Sequence, residues 1–181
     1  LFPTGSSLGV LRYRPVELKP VDNAPNAYAV RLANNNASAD GFSISNFDQS
    51  VDCELNDKFY HLINHTAGSS NPDITIYHLP STDDTYNGLD QWNTPTISSW
   101  NSLGSVNPIN NFGLSGINKP NWNNFNSQPF VLAKKRPAAP TITGPTSFCP
   151  SATSLMYIAH GDNQNSLYNW SVPSGNTFQI Q

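Results

Sequence analysis

Charge is scarce in this 181-residue chain. Nine Lys and Arg and twelve Asp and Glu make up 12% of it and leave a net charge of −3 at pH 7. An average globular chain carries about 25% charged residues. Basic residues so few and so dispersed give no footprint for nucleic acid. No run approaches the roughly 18 apolar residues of a membrane span. The Ala, Glu, Lys, Leu and Arg that dominate coiled coils and helix bundles are sparse. No window holds an i, i+3, i+4 apolar pattern beyond one or two turns. Met occurs once and Cys twice, with no C-x-x-C spacing, so zinc and redox motifs are absent. There is no G-x-S-x-G and no catalytic-cysteine context. Glu is limited to Glu17 and Glu54, and spacing alone assigns no carboxylate pair to glycoside hydrolysis. The expectation is a chain with no enzyme site and no cofactor.

What is present is asparagine, 24 residues of it, with 15 Pro and 11 Gly. Hydrophobic residues still make 37% of the chain and aromatics 11%, clustered in short runs, which argues against disorder. The runs alternate and are bounded by turn residues, the signature of strands. Residues 8–18 place Leu11 and Tyr13 on one face and Arg12 and Arg14 on the other, with Pro15 demoting the strand to an edge or an end. Residues 26–33 align Tyr28, Val30 and Leu32, and Asn34, Asn35 and Asn36 follow as a turn. Residues 41–47, 58–64, 73–79 and 128–133 read as further strands, with 58–64 apolar on both faces. The pattern weakens over residues 80–127. So long a structureless loop is improbable inside a compact domain, so short strands are expected near 97–100 and 112–117.

A charge cluster and two prolines at residues 134–140 (KKRPAAP) mark a linker. Strands are expected beyond it at 141–143, 155–159 and 167–172, the spacing of a β-sandwich, with Trp170 on an inward position. Residues 171–181 read as strand, turn, strand and stop inside the second, as a fragment of a longer protein would. Residues 1–10 show no signal peptide. The fold expected is all-β: tandem antiparallel β-sandwich modules of immunoglobulin-like type, 1–136 and 137–181, the second incomplete.

Each candidate chemistry has a plainer reading. Trp92, Trp100 and Trp122, flanked by Asn and Gln, have the makings of a stacking platform for surface glycans, or of core aromatics with satisfied indole N–H groups. Asp83, Asn87 and Asp90 fall in an acidic loop that faintly echoes a calcium loop, but position 12 is Thr94 in place of Glu. The plainer reading is a polar turn closed by Asn87-Gly88. His61, His78 and Asp73 form a weak metal set, beside ordinary strand histidines. His65 lies four residues after His61, a metal-like spacing only on a helix. Two readings stay open for the cysteines: a Cys53–Cys149 disulfide, which implies an oxidising compartment, or a buried free Cys53 with Cys149 paired beyond residue 181. Sequons occur at Asn36, Asn64 and Asn169.

Residues 142–150 (ITGPTSFCP), then Tyr157, then residues 168–175 (YNWSVPSG) resemble the start of the PKD-like, immunoglobulin-type repeats of large secreted Bacteroidota surface proteins. Residues 28–32, 59–61, 73–77 and 128–133 are similar to a domain found beside such repeats. The resemblance implies export by the type IX secretion route, display on the cell surface, and a gliding or attachment adhesin. It carries over no catalytic residues. Its implied partners are neighbouring modules of the same chain, with a filament or homo-oligomer as a further reading that needs free edge strands.

Overall fold

The computed structural model describes residues 1–93, 98–139, 141–146 and 156–160. The chain forms two compact units, Leu1–Arg136 and Pro137–Gln181. In the first, strands follow one another as β1 (Gly5–Ser6), β2 (Arg12–Tyr13), β3 (Val16–Lys19), β4 (Ala27–Ala33), β5 (Asp52–Leu55), β6 (Tyr60–Ala67) and β7 (Asp73–His78). A helical turn α1 (Pro80–Asp83) precedes β8 (Gly88–Asn93), β9 (Ser99–Ser102), β10 (Asn107–Asn111), β11 (Leu114–Lys119) and β12 (Pro129–Lys135).

The main strands make two antiparallel sheets. One has the order β10-β11-β7-β3, the other β4-β6-β12-β8-β9, with β5 joined to the second half of β12. The apolar faces of the two sheets share one core. Val16, Leu18, Ile74, Ile76 and Ile117 come from the first sheet, and Ile63, Leu89, Phe130 and Leu132 from the second. The unit is therefore all-β and sandwich-like.

The second sheet is buried on its other face as well. Tyr60, Trp92, Trp100, Val131, Ala133 and Leu55 form a separate core there, closed by Phe42, Ile44 and Phe47. This explains the run of apolar residues in β12: Phe130 and Leu132 serve one core, Val131 and Ala133 the other.

The expected strands at 26–33, 58–64, 73–79 and 128–133 correspond to β4, β6, β7 and β12. Others differ. Residues 8–18 break at Pro15 into β2 and β3, and β3 lies at a sheet edge. The two faces alternate as read, and the arginine face is the inward one: Leu11 and Tyr13 are exposed, while Arg14 is buried against Asp83. Residues 41–47 are not a strand. A 3-10 turn at Ala37–Asp40, capped by Asn36 and ended by Gly41 at φ 90°, turns the chain so that it covers the second core. A single bridge, Phe47 to Trp100, is all its pairing. Within 80–127 the structure forms β8 to β11, the last two joined through Phe112 and Gly113 at φ 55° and 71°.

In the second unit, β13 (Thr141–Thr143) pairs antiparallel with β14 (Ile158–His160). The Tyr157 hydroxyl donates to the Pro145 carbonyl at 3.0 Å. Cys149, Trp170, the Asn169 sequon and the strands expected at 167–172 and 171–181 lie outside the described residues.

Candidate functional site: a lysine between two buried aspartates

A bulge in β5 creates the site. Ala133 pairs with Leu55 and Lys134 with Glu54, but the register then shifts and Lys135 pairs with Asp52. Strict alternation would send Cys53 inward with Leu55. The extra residue leaves Cys53 and Glu54 both exposed and turns Asp52 into the interior, 1% exposed. Bulges re-aim side chains in this way.

Asp90 is the second carboxylate and is fully buried. It shares its sheet face with Trp92, two residues along β8. Its cross-strand neighbour on β9 is Ser102. Lys135 ends β12, and its side chain runs over Gly88, where an added Cβ would collide with the lysine stem. That path brings Nζ 2.6 Å from Asp52 Oδ1 and 2.9 Å from Asp90 Oδ1. Nζ also donates to Ser102 Oγ at 2.7 Å. The Asp52 contact is close but lacks hydrogen-bond geometry, and Asp90 Oδ2 has no partner. Burial pushes the Asp90 carboxyl up to about 6; Lys135 opposes the rise and the Asp52 carboxylate adds to it. Burial thus disfavours the charged form of Asp90 even beside the ammonium. An open cavity of about 280 Å³, lined by Thr85, Tyr86, Asn87, Lys134 and Lys135, lies beside the lysine. Lys134 points the other way, to exposed Glu54 and Asp84 at 2.9 and 2.8 Å.

A second ionic group lies under α1. The Arg14 side chain donates to Asp83 through Nε and to Thr82 Oγ1 at 2.8 Å. Arg12 lies 3.5 Å from the other Asp83 oxygen. Burial alone would raise the Asp83 carboxyl. The Arg14 hydrogen bond, the Leu79 N–H and the two guanidinium charges outweigh it and hold the group below the usual carboxylate range.

For the tryptophans and the strand histidines the structure follows the plainer reading. Trp92 and Trp100 face each other across β8 and β9, 4% and 1% exposed, with ring centroids 5.3 Å apart. The Trp100 indole N–H donates to the Ser43 carbonyl at 3.1 Å. Trp122 is half-buried against Phe130, and its N–H donates to the Asn124 carbonyl at 3.0 Å. No three-tryptophan sugar platform forms, because the covering segment 42–47 consumes two of the rings. The calcium set does not assemble either. Asp83 is neutralised by Arg14, Asp90 by Lys135, and the Asn87 side chain accepts the Lys135 backbone N–H at 2.7 Å. Asn87-Gly88 leads into β8 and closes no hairpin. His61 is spent on the Arg14 carbonyl at 2.9 Å, His78 packs on Tyr86, and Asp73 accepts the Asn121 N–H at 2.9 Å. Among the described residues no three His, Cys, Asp or Glu side chains form a metal set. Cys53 is exposed on β5, not buried. Asn36 caps the 3-10 turn and Asn64 lies within β6. Among the described residues no helix is long and apolar enough to cross a membrane.

Sequence reading missed Asp52 and Lys135 as site residues. The bulge has no local signal, and the lysine reads as part of a linker. The stretch 52–55 (DCEL) between turn residues was the available cue for β5.

No family model, no curated protein and no solved structure matches the chain.

Proposed function

We propose that the chain is a non-catalytic structural and adhesive stretch of a long extracellular surface protein, built of tandem immunoglobulin-like β-sandwich modules that hold a binding tip away from the cell. The PKD-like resemblance of residues 142–175 and the type IX export it implies belong to this reading. One observation supports it above the others. Lys135 stands one residue before the end of the first unit, and its ammonium engages groups on β5, β8 and β9 while its backbone lies in β12. A pull arriving through the Pro-rich segment after Arg136 reaches four strands at once. β12 is also a central strand, hydrogen-bonded to β6 and β5 on one side and β8 on the other.

Two measurements test this. Antibody against the chain labels intact source cells if the protein is displayed; label only after permeabilisation overturns the location. Pulling single molecules from their two ends gives one high-force event for the first unit. Unfolding at forces too low to resolve overturns the mechanical role.

A further inference from the structure

The lysine–aspartate contact has the makings of a reaction. The nitrogen and both carboxyl groups are fixed by three different strands, so their encounter costs no further translational entropy. They lie on the sheet face occupied by Trp92, Trp100, Val131 and Ala133. In such surroundings the carboxylate of Asp90 is costly relative to the neutral acid. Asp90 Oδ2, fully buried and without a partner, is free to carry a proton. Asp52 Oδ1 already touches Nζ outside hydrogen-bond geometry. We propose that Lys135 and Asp52 condense into an isopeptide bond, Nζ to Cγ, with Asp90 as the proton carrier.

The step balances without any oxidant, cofactor or second substrate. The step starts from the form in which Asp90 carries a proton and Asp52 does not, with both facing the ammonium. Nζ gives up a proton, which leaves a neutral amine and two carboxylic acids. The amine attacks Asp52 Cγ and the N–C bond forms. Asp90 takes one proton from the nitrogen and gives its own to the departing hydroxyl. The C–O bond breaks and one water leaves, with the open cavity beside Lys135 as its exit. Asp90 ends as a carboxylic acid, placed to donate to the new amide oxygen. Gly88 is a positioning residue, since any side chain there would push the lysine stem aside. The product closes residues 52–135, β5 to β12 with α1, into one covalent loop. This inference concerns chemistry alone and stands whether or not the chain is displayed on a cell.

Intact mass spectrometry of the purified, folded 181-residue chain tests it. The expected mass is one water below that of the sequence, in every molecule. A tryptic map should show no cleavage after Lys135 and one branched peptide joining the segments that hold Asp52 and Lys135. Lys135→Arg and Asp90→Asn should both have their full sequence mass. Asp52→Asn should lose one ammonia in place of water, because the carboxamide nitrogen departs once protonated. Gly88→Ala should leave a large uncrosslinked fraction. A wild-type chain of full sequence mass with a native near-UV spectrum overturns the proposal. So does a water loss that persists in Lys135→Arg, which would place it elsewhere. The wild-type mass and map decide the matter even if a variant fails to fold, and they are independent of cell labelling and of unfolding force.

Discussion

Arg14 and Asp83 form a buried ion pair between residues 69 positions apart, linking the end of β2 to the turn α1. Asp83 is fully buried and Arg14 is 4% exposed. The Asp83 carboxylate also accepts the Leu79 N–H at 2.9 Å, so it closes its own helical turn. Removing one partner leaves the other charged, dry and alone. Asp83→Leu and Arg14→Met should each cost about 3–5 kcal/mol in urea unfolding. An Arg14→Met/Asp83→Leu double variant should recover much of the loss, because apolar replacement of both partners is often neutral. Losses that simply add would mean that the two residues act separately.

The Trp92–Trp100 pair makes a contrasting case with Trp122. Truncating either buried ring opens a cavity beneath Phe42, so Trp92→Ala and Trp100→Ala should lose about 3–5 kcal/mol. Trp122→Ala should lose less, on the order of 1–2 kcal/mol, because the ring is only half-buried. Equilibrium denaturation of the three variants gives the ranking. A larger loss at Trp122 would contradict the burial described for these rings.

His61 makes the fold sensitive to acid. Burial pushes its imidazole down to about 4 from 6.5, although the Arg14 carbonyl favours the charged form. The unfolded chain binds that proton near 6.5. The stability contributed by neutral His61 is therefore complete above 6.5 and is lost as pH falls through 4. Asp83, with its carboxyl held low, loses stability in the same direction at lower pH. Asp90, pushed up to about 6, works in the opposite sense wherever it titrates. The difference between wild type and His61→Gln isolates the imidazole. The wild-type urea midpoint should fall more between pH 7 and pH 5 than that of the variant. Equal falls would remove His61 from the pH response.

Much of the first unit was legible in the sequence. β4, β6, β7 and β12 alternate or run apolar because each buries one or both faces, and such burial has to be written into residue type. β5 and β8 were not legible. Each carries a buried aspartate, and Asp reads as turn when its partner lies far away in the chain. The same limit applies to residues 11–14. Residues 11–14 do alternate, but polarity does not say which face is buried: the buried carboxylate of Asp83 draws Arg14 in, and Arg12 lies against it. The glycan platform failed for a related reason. Spacing among Trp92, Trp100 and Trp122 says nothing about which segment covers the rings.

The sequence by itself determined an all-β chain with low charge and a Pro-rich break after Arg136. Those properties follow from composition and from two-residue periodicity, which are local. Tertiary structure decided which side of the second sheet Asp52 faces, because one bulged residue on β5 reverses the alternation. It also decided that Lys135 reaches back over Gly88 to Asp90. Both outcomes depend on the register between β5, β8 and β12, and register is a property of paired strands that no single segment contains.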